Sequence, residues 1–172
     1  MNDNMRSEYD KVRINIEKYS ANLVELLIKK DLTISVAESC TGGMIASAIV
    51  DVPDASKCFN EGHITYSNGA KMKYLEVSNV TLTKYGAVSR ETVNEMATGL
   101  KKNSSADITV VTSGIAGPTG GSDEKPVGLV YIAVAYNEKV FVSEYKFNGD
   151  RTMVRLKATL EAIKLTINAL DM

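Results

Sequence analysis

Twice in this chain an apolar-rich strand signal runs straight into a cluster of glycines and hydroxyls, and these two junctions constrain the fold most. In the first, Leu32-Thr33-Ile34-Ser35-Val36 alternates apolar and polar, the period of a half-buried strand, and enters Ala37-Glu38-Ser39-Cys40-Thr41-Gly42-Gly43. Met44, Ile45, Ala48 and Ile49 then recur at helical spacing. In the second, residues 107–112 read as a strand that enters Ser113-Gly114-Ile115-Ala116-Gly117-Pro118-Thr119-Gly120-Gly121. Glycine lets a backbone approach a ligand closely, and the free N–H groups of a helix start favour an anion. A hydroxyl held there serves as nucleophile or as helix cap.

The other elements follow from period and punctuation. Tyr9, Val12, Ile16, Tyr19, Leu23 and Leu26 predict a helix over 8–30, with Ser7 and Asp10 resembling a capping box. Such a stripe is core or the seam of a dimer. Residues 43–50 predict a helix, 61–67 a strand, and Asn68 the cap of a short helix carrying Lys71. A short segment follows near 79–84, and Ser89 caps a helix with Val93, Met96, Ala97 and Leu100 inward. Residues 127–135 are nearly all apolar, as in a central strand. Asn137-Glu138 turns into strand 139–147, and Asn148-Gly149-Asp150 opens a last helix. The order α-β-α-β-α-β-β-β-α predicts a three-layer α/β/α sandwich around a mixed, mostly parallel sheet. Ligands of open sheets collect at the carboxyl ends of parallel strands, where both glycine loops lie if 32–36 and 107–112 are neighbours.

Composition narrows the chemistry. At 172 residues the chain is expected to form a single domain over 1–172, with 1–10 as a flexible N-terminal extension. A net charge of −1 with interspersed signs argues against nonspecific binding to nucleic acid or to a membrane surface. No signal-like h-region and no membrane-length apolar run are present, so a cytoplasmic protein is expected. Cys40, Cys58 and the single His63 cannot make a Cys/His zinc site, so no metal is expected. A Cys40–Cys58 disulfide is open to the sequence, but free thiols in a reducing compartment are the expectation.

Three nucleophile schemes stay open on the residues alone. A Ser-His-Asp triad would need His63. A Cys40 thiolate would draw on a helix N-terminus, which lowers a thiol pKa. A serine–lysine pair would need Lys71 or Lys73 depressed by burial or a neighbouring cation. For anions, Arg151 follows the Gly149-Asp150 turn and Arg155 lies one turn on; a guanidinium offers a bidentate fork, though a solvated Arg151 beside a capping Asp150 is the alternative.

The motifs Ala37–Gly43, Tyr66-Ser67-Asn68-Gly69-Ala70-Lys71, Gly86-Ala87-Val88-Ser89, Ser113–Gly121, Lys125-Pro126-Val127-Gly128 and Gly149-Asp150-Arg151 occur here in the order of the CinA C-terminal domain family, which the chain resembles over roughly residues 20–170. That family includes stand-alone nicotinamide-nucleotide amidases, and the chain looks like the single-domain form. The resemblance implies hydrolysis of nicotinamide mononucleotide to nicotinic acid mononucleotide and ammonia, in pyridine-nucleotide salvage, with no cofactor. It places the nucleophile on Ser39, the base on Lys71, and Tyr66 and Ser113 beside the reacting group. Glu38, Thr41, Gly42, Gly43, Gly114, Gly117 and Arg151 are the expected substrate and phosphate contacts, and a homo-oligomer, most simply a dimer, is the expected assembly. Ser113 stands where threonine is common, and Gly69 where a larger, often acidic, residue is usual. The competing functional class is a nucleotide- or partner-binding module without turnover. Ammonia release from nicotinamide mononucleotide is expected to survive exhaustive chelation; loss with EDTA and recovery with a divalent ion would overturn the metal-free reading.

Overall fold

The computed structural model describes residues 3–171. Its elements are α1 (Asp3–Lys29), β1 (Ile34–Glu38), α2 (Met44–Val50), β2 (Phe59–Ile64), α3 (Asn68–Leu75), α4 (Asn79–Tyr85), α5 (Arg90–Ser104), β3 (Ile108–Gly114), β4 (Leu129–Tyr136), β5 (Lys139–Lys146) and α6 (Arg151–Leu170). The sheet order is β2-β1-β3-β4-β5. β1 pairs parallel with β2 and β3, and β4 runs antiparallel to both β3 and β5. The expected mixed sheet between helical layers is the fold observed.

Strand alternation builds two cores. Ile34, Val36, Ile108, Val110, Val130, Ile132 and Val134 pack with α1, α2 and α6. Ala37, Val111, Ala133 and Ala135 face the other way, against Val93, Met96, Ala97 and Leu100 of α5 and Leu75 of α3. Small residues on that second face bring α5 close to the sheet. Thr109, buried there, donates its hydroxyl to the carbonyl of Ala97, 3.0 Å away.

Several boundaries differ from the sequence reading. Residues 3–10, expected as an extension, belong to α1, so Ser7 and Asp10 lie inside a helix and form no capping box. Tyr9 donates to the carboxylate of Asp150, and Lys157 pairs with Glu8 at 2.9 Å, fastening this end of α1 to α6. Residues 1–2 of the expected extension lie outside the described residues. β1 begins at Ile34 because Thr33 is engaged with Asp107, through its N–H at 2.8 Å and its hydroxyl at 2.7 Å. β2 is shifted upstream to Phe59–Ile64. Ser67, rather than Asn68, caps α3, accepting from the N–H of Ala70. Ser89 and Asp150 cap α5 and α6 as expected. Among the described residues no helix is long and apolar enough to cross a membrane.

One glycine sets the spacing between α3 and α5. A Cβ at Gly99 would sit 1.8 Å from the carbonyl oxygen of Leu75, the last residue of α3. Gly99→Ala is expected to destabilise by about 1–3 kcal/mol, as overpacking does, outweighing the roughly 1 kcal/mol that alanine gains over glycine in a helix. Urea denaturation reads this directly; an unchanged or raised midpoint would show that the two helices separate freely.

Candidate active site

β1 and β3 are neighbours in register, Glu38 opposite Thr112, so the two glycine loops emerge side by side. The N–H of Ser39 continues the pairing by donating to the carbonyl of Thr112 at 3.1 Å. On the other side of β1, the N–H of Thr65 donates to the carbonyl of Glu38 at 2.9 Å, which carries the chain past the end of β2 and into α3. Lys71 lies in the first turns of α3 and turns inward. Its Nζ donates to Ser39 Oγ at 3.1 Å, to the carbonyl of Thr65 at 2.8 Å and to that of Tyr66 at 3.3 Å.

Of the three nucleophile schemes, this geometry favours the serine–lysine pair. Lys71 is 1% exposed and Ser39 7%. Burial pulls the Lys71 ammonium down to about 8. Burial also pushes the Cys40 thiol up to about 11, so the expected lowering of this thiol by a helix start is overturned. Cys40 and Cys58 are both free thiols. His63 pairs with Glu61 at 3.3 Å and packs near Tyr74, while Lys73 lies over the Tyr74 ring at 4.8 Å. Neither side chain borders Ser39's cavity.

That cavity, of about 210 Å³, is lined by Ser39, Cys40, Tyr66, Ala87, Val88, Ser113, Gly114, Ala116 and Arg151. Ser39, Tyr66, Ser113, Gly114 and Arg151 are thus brought together as expected. Ala87 and Val88, from the turn before α5, complete the wall and had no assigned role. The Ser113 hydroxyl donates to the carbonyl of Ala87 at 2.7 Å, pinning that turn to β3. Arg151 donates to the carbonyl of Gly117 at 2.8 Å and to the Tyr66 hydroxyl at 3.3 Å. Its guanidinium therefore bridges the second glycine loop to a tyrosine that is 63% exposed.

Four expected contacts take other roles. Glu38 is fully buried, and its carboxylate accepts from the N–H groups of Gly43 (2.9 Å), Ile45 (3.1 Å) and Ala46 (2.8 Å). The start of α2 is therefore filled from within, and the phosphate cradle expected of it does not form. Thr41 turns inward, its hydroxyl 2.8 Å from that of Thr112. Gly43 precedes α2 at φ 96°, a conformation glycine permits. Gly117 contributes its carbonyl to Arg151, and a Cβ there would lie 2.5 Å from Val127. Gly69, by contrast, has an ordinary backbone and room for a side chain, its nearest neighbour being Ser67 Oγ at 3.9 Å. Nothing in the local packing demands glycine at 69.

Fold and site together define a three-layer α/β protein with a buried serine–lysine pair at the carboxyl edge of its parallel strands. The chain belongs to the CinA C-terminal domain family, whose model matches residues 16–170. It is 52% identical over 165 residues to a Clostridium beijerinckii protein with a competence-damage inducible name, covering 96% of this chain and 39% of that one. A CinA-like protein of Kosmotoga olearia is 52% identical over 148 residues, covering 86% and 36%. The chain thus spans well under half the length of these relatives. Among solved structures, the competence/damage inducible protein CihA of Agrobacterium tumefaciens superposes with a TM-score of 0.89 at 39% identity, covering 92% of this chain and 96% of that one. A CinA superfamily protein of Escherichia coli gives 0.85 at 36%, covering 88% and 90%.

The depressed lysine has a thermodynamic signature. Its folded pKa of about 8 lies below the 10.5 of an unburied lysine. Below pH 8 both folded and unfolded chains hold the proton, and the burial penalty is fully present. Between 8 and 10.5 the unfolded chain keeps a proton that the folded chain has released, so this group's contribution to stability rises with pH. The stability of wild type minus that of Lys71→Met is expected to increase from pH 8 to pH 10 in urea melts. Taking the difference cancels to first order the opposing titration of Cys40. A difference equal at both pH values would mean that the ammonium is not desolvated.

Proposed function

We propose that the chain is an amidohydrolase that converts nicotinamide mononucleotide to nicotinic acid mononucleotide and ammonia through a Ser39–Lys71 pair. The observation that carries this reading is the contact between a buried Lys71 and Ser39 Oγ. With a pKa of about 8, roughly one Lys71 in ten is neutral at pH 7, against roughly three in ten thousand at the value of a free lysine. That difference turns a solvated cation into a usable base.

In the proposed cycle, neutral Lys71 takes the Ser39 proton as Oγ attacks the carboxamide carbon. The resulting ammonium gives the proton to the departing amide nitrogen, the C–N bond breaks, and an acyl-enzyme and ammonia remain. Water, deprotonated in turn by Lys71, adds to the acyl carbon, and Ser39 leaves with its proton restored. The carbonyls of Thr65 and Tyr66 hold the lysine through both steps. A cavity of about 210 Å³, below the roughly 300 Å³ where ligand pockets usually begin, suits a compact amide head group. The ribose and phosphate would extend toward Tyr66 and Arg151 at its rim.

Ammonia release from nicotinamide mononucleotide by the purified chain tests the reading, and tight binding without release would favour a non-catalytic nucleotide module. Ser39→Ala is expected to lower kcat by orders of magnitude with the fold intact, while Cys40→Ala is mild. Lys71→Arg is expected to be nearly as damaging as Lys71→Ala, because arginine does not give up its proton at working pH. Serine and lysine act as one unit, so the double variant should be little worse than either single. A dead Cys40→Ala beside an active Ser39→Ala would put the thiol in the serine's place.

A further inference from the structure

Arg155, one turn beyond Arg151 on α6, makes no ion pair among the described residues. Instead its half-buried guanidinium donates through Nε to the carbonyl of Cys40 at 3.1 Å and through Nη2 to that of Thr41 at 2.7 Å. These are consecutive carbonyls of the turn that follows Ser39. In a trans peptide the C=O and N–H point in opposite directions. Holding the two carbonyls therefore aims the N–H groups of Thr41 and Gly42 away from the guanidinium.

Those donors are not used elsewhere. The N–H of Ser39 is bonded to Thr112 at 3.1 Å and that of Gly43 to Glu38 at 2.9 Å. Among the described residues, the N–H groups of Thr41 and Gly42 between them donate to no protein atom. A turn that presents successive free N–H groups through a left-handed residue, here Gly42 at φ 62°, makes a concavity for negative charge. Gly42 is also where the guanidinium approaches: a Cβ there would lie 3.3 Å from Arg155 Nη2.

We propose that Arg155 is a positioning residue, fixing the 40–42 turn so that its amides receive the oxyanion formed when Ser39 attacks a carbonyl. The positive guanidinium lies behind the same peptides and reinforces their polarity toward negative charge. The kinetic arm of the test rests on the amidase reading, so a second arm is independent of it. In that arm a fluorophosphonate labels Ser39: an Oγ–P bond forms, fluoride leaves, and Lys71 takes the proton. Phosphonylation builds negative charge on a phosphoryl oxygen, which the same amides would stabilise.

Arg155→Met is expected to lower kcat for nicotinamide mononucleotide by about 10²–10³-fold, the usual cost of losing an oxyanion donor. KM should change little, and the acidic limb of the pH profile, set by Lys71, should stay in place. The rate of Ser39 labelling, followed by intact mass, should fall in parallel. Arg155→Lys, which can reach one carbonyl, should fall between wild type and Arg155→Met, and it decides the matter if Arg155→Met fails to fold. A raised KM with kcat retained, a displaced acidic limb, or a wild-type kcat in Arg155→Lys would each overturn the proposal. Wild-type labelling without ammonia release would sink the choice of substrate alone, and the labelling rates of the variants would still decide the role of Arg155. A wild type that neither labels nor turns over would overturn both.

Discussion

The buried carboxylate of Glu38 is the interaction on which the rest of the site depends. A fully buried carboxylate is costly unless it is hydrogen-bonded, and here three N–H groups at the start of α2 supply the partners. The same residue's carbonyl accepts from Thr65, whose own carbonyl accepts from Lys71, which reaches Ser39, the next residue along from Glu38. One side chain and one carbonyl thus fix a helix, the chain leaving β2, the lysine and the serine relative to one another. Losing Glu38 would leave three helix-start donors unpaired and loosen the turn that carries Ser39.

Burial also sets the protonation of Lys71. Desolvation lowers the Lys71 ammonium to about 8, outweighing the hydrogen bonds it donates to the carbonyls of Thr65 and Tyr66, which favour the charged form. The tight face of the sheet supports this enclosure. Ala37, Ala133 and Ala135 let α5 lie close, and Gly99 lets the end of α3, the helix that carries Lys71, approach α5 at Leu75. Stability given up in burying the ammonium is offset by two cores of aliphatic residues.

Much of this was legible in the sequence, and the parts that were not share a cause. The element order and the caps at Ser89 and Asp150 follow from period and turn chemistry, while the adjacency of the two glycine junctions, left conditional on strand order, is supplied by the pairing of β1 with β3. The choice of Ser39 and Lys71 came from family resemblance, since thirty-two residues of separation leave no local signal. Glu38 is ambiguous in the sequence because an acidic residue ahead of glycines serves equally a ligand or the chain's own backbone. The one clue was that α2 has no side-chain cap of its own, Gly43 standing where serine or aspartate is usual. The start of α1 is hidden in the sequence because Ser7 and Asp10 imitate a cap, which period alone does not settle. The roles of Arg155 and of Ala87 lie in contacts to backbone atoms, which sequence patterns do not record.

Arg151 and Arg155 are spaced so that they share one face of α6. Arg151 holds the carbonyl of Gly117 in the second glycine loop, and Arg155 holds those of Cys40 and Thr41 in the first. A single stiff rod thus indexes both walls of the cavity, as one comb engages two combs beside it. A displacement of α6 would therefore pull on both loops at once, coupling the turn after Ser39 to the loop opposite.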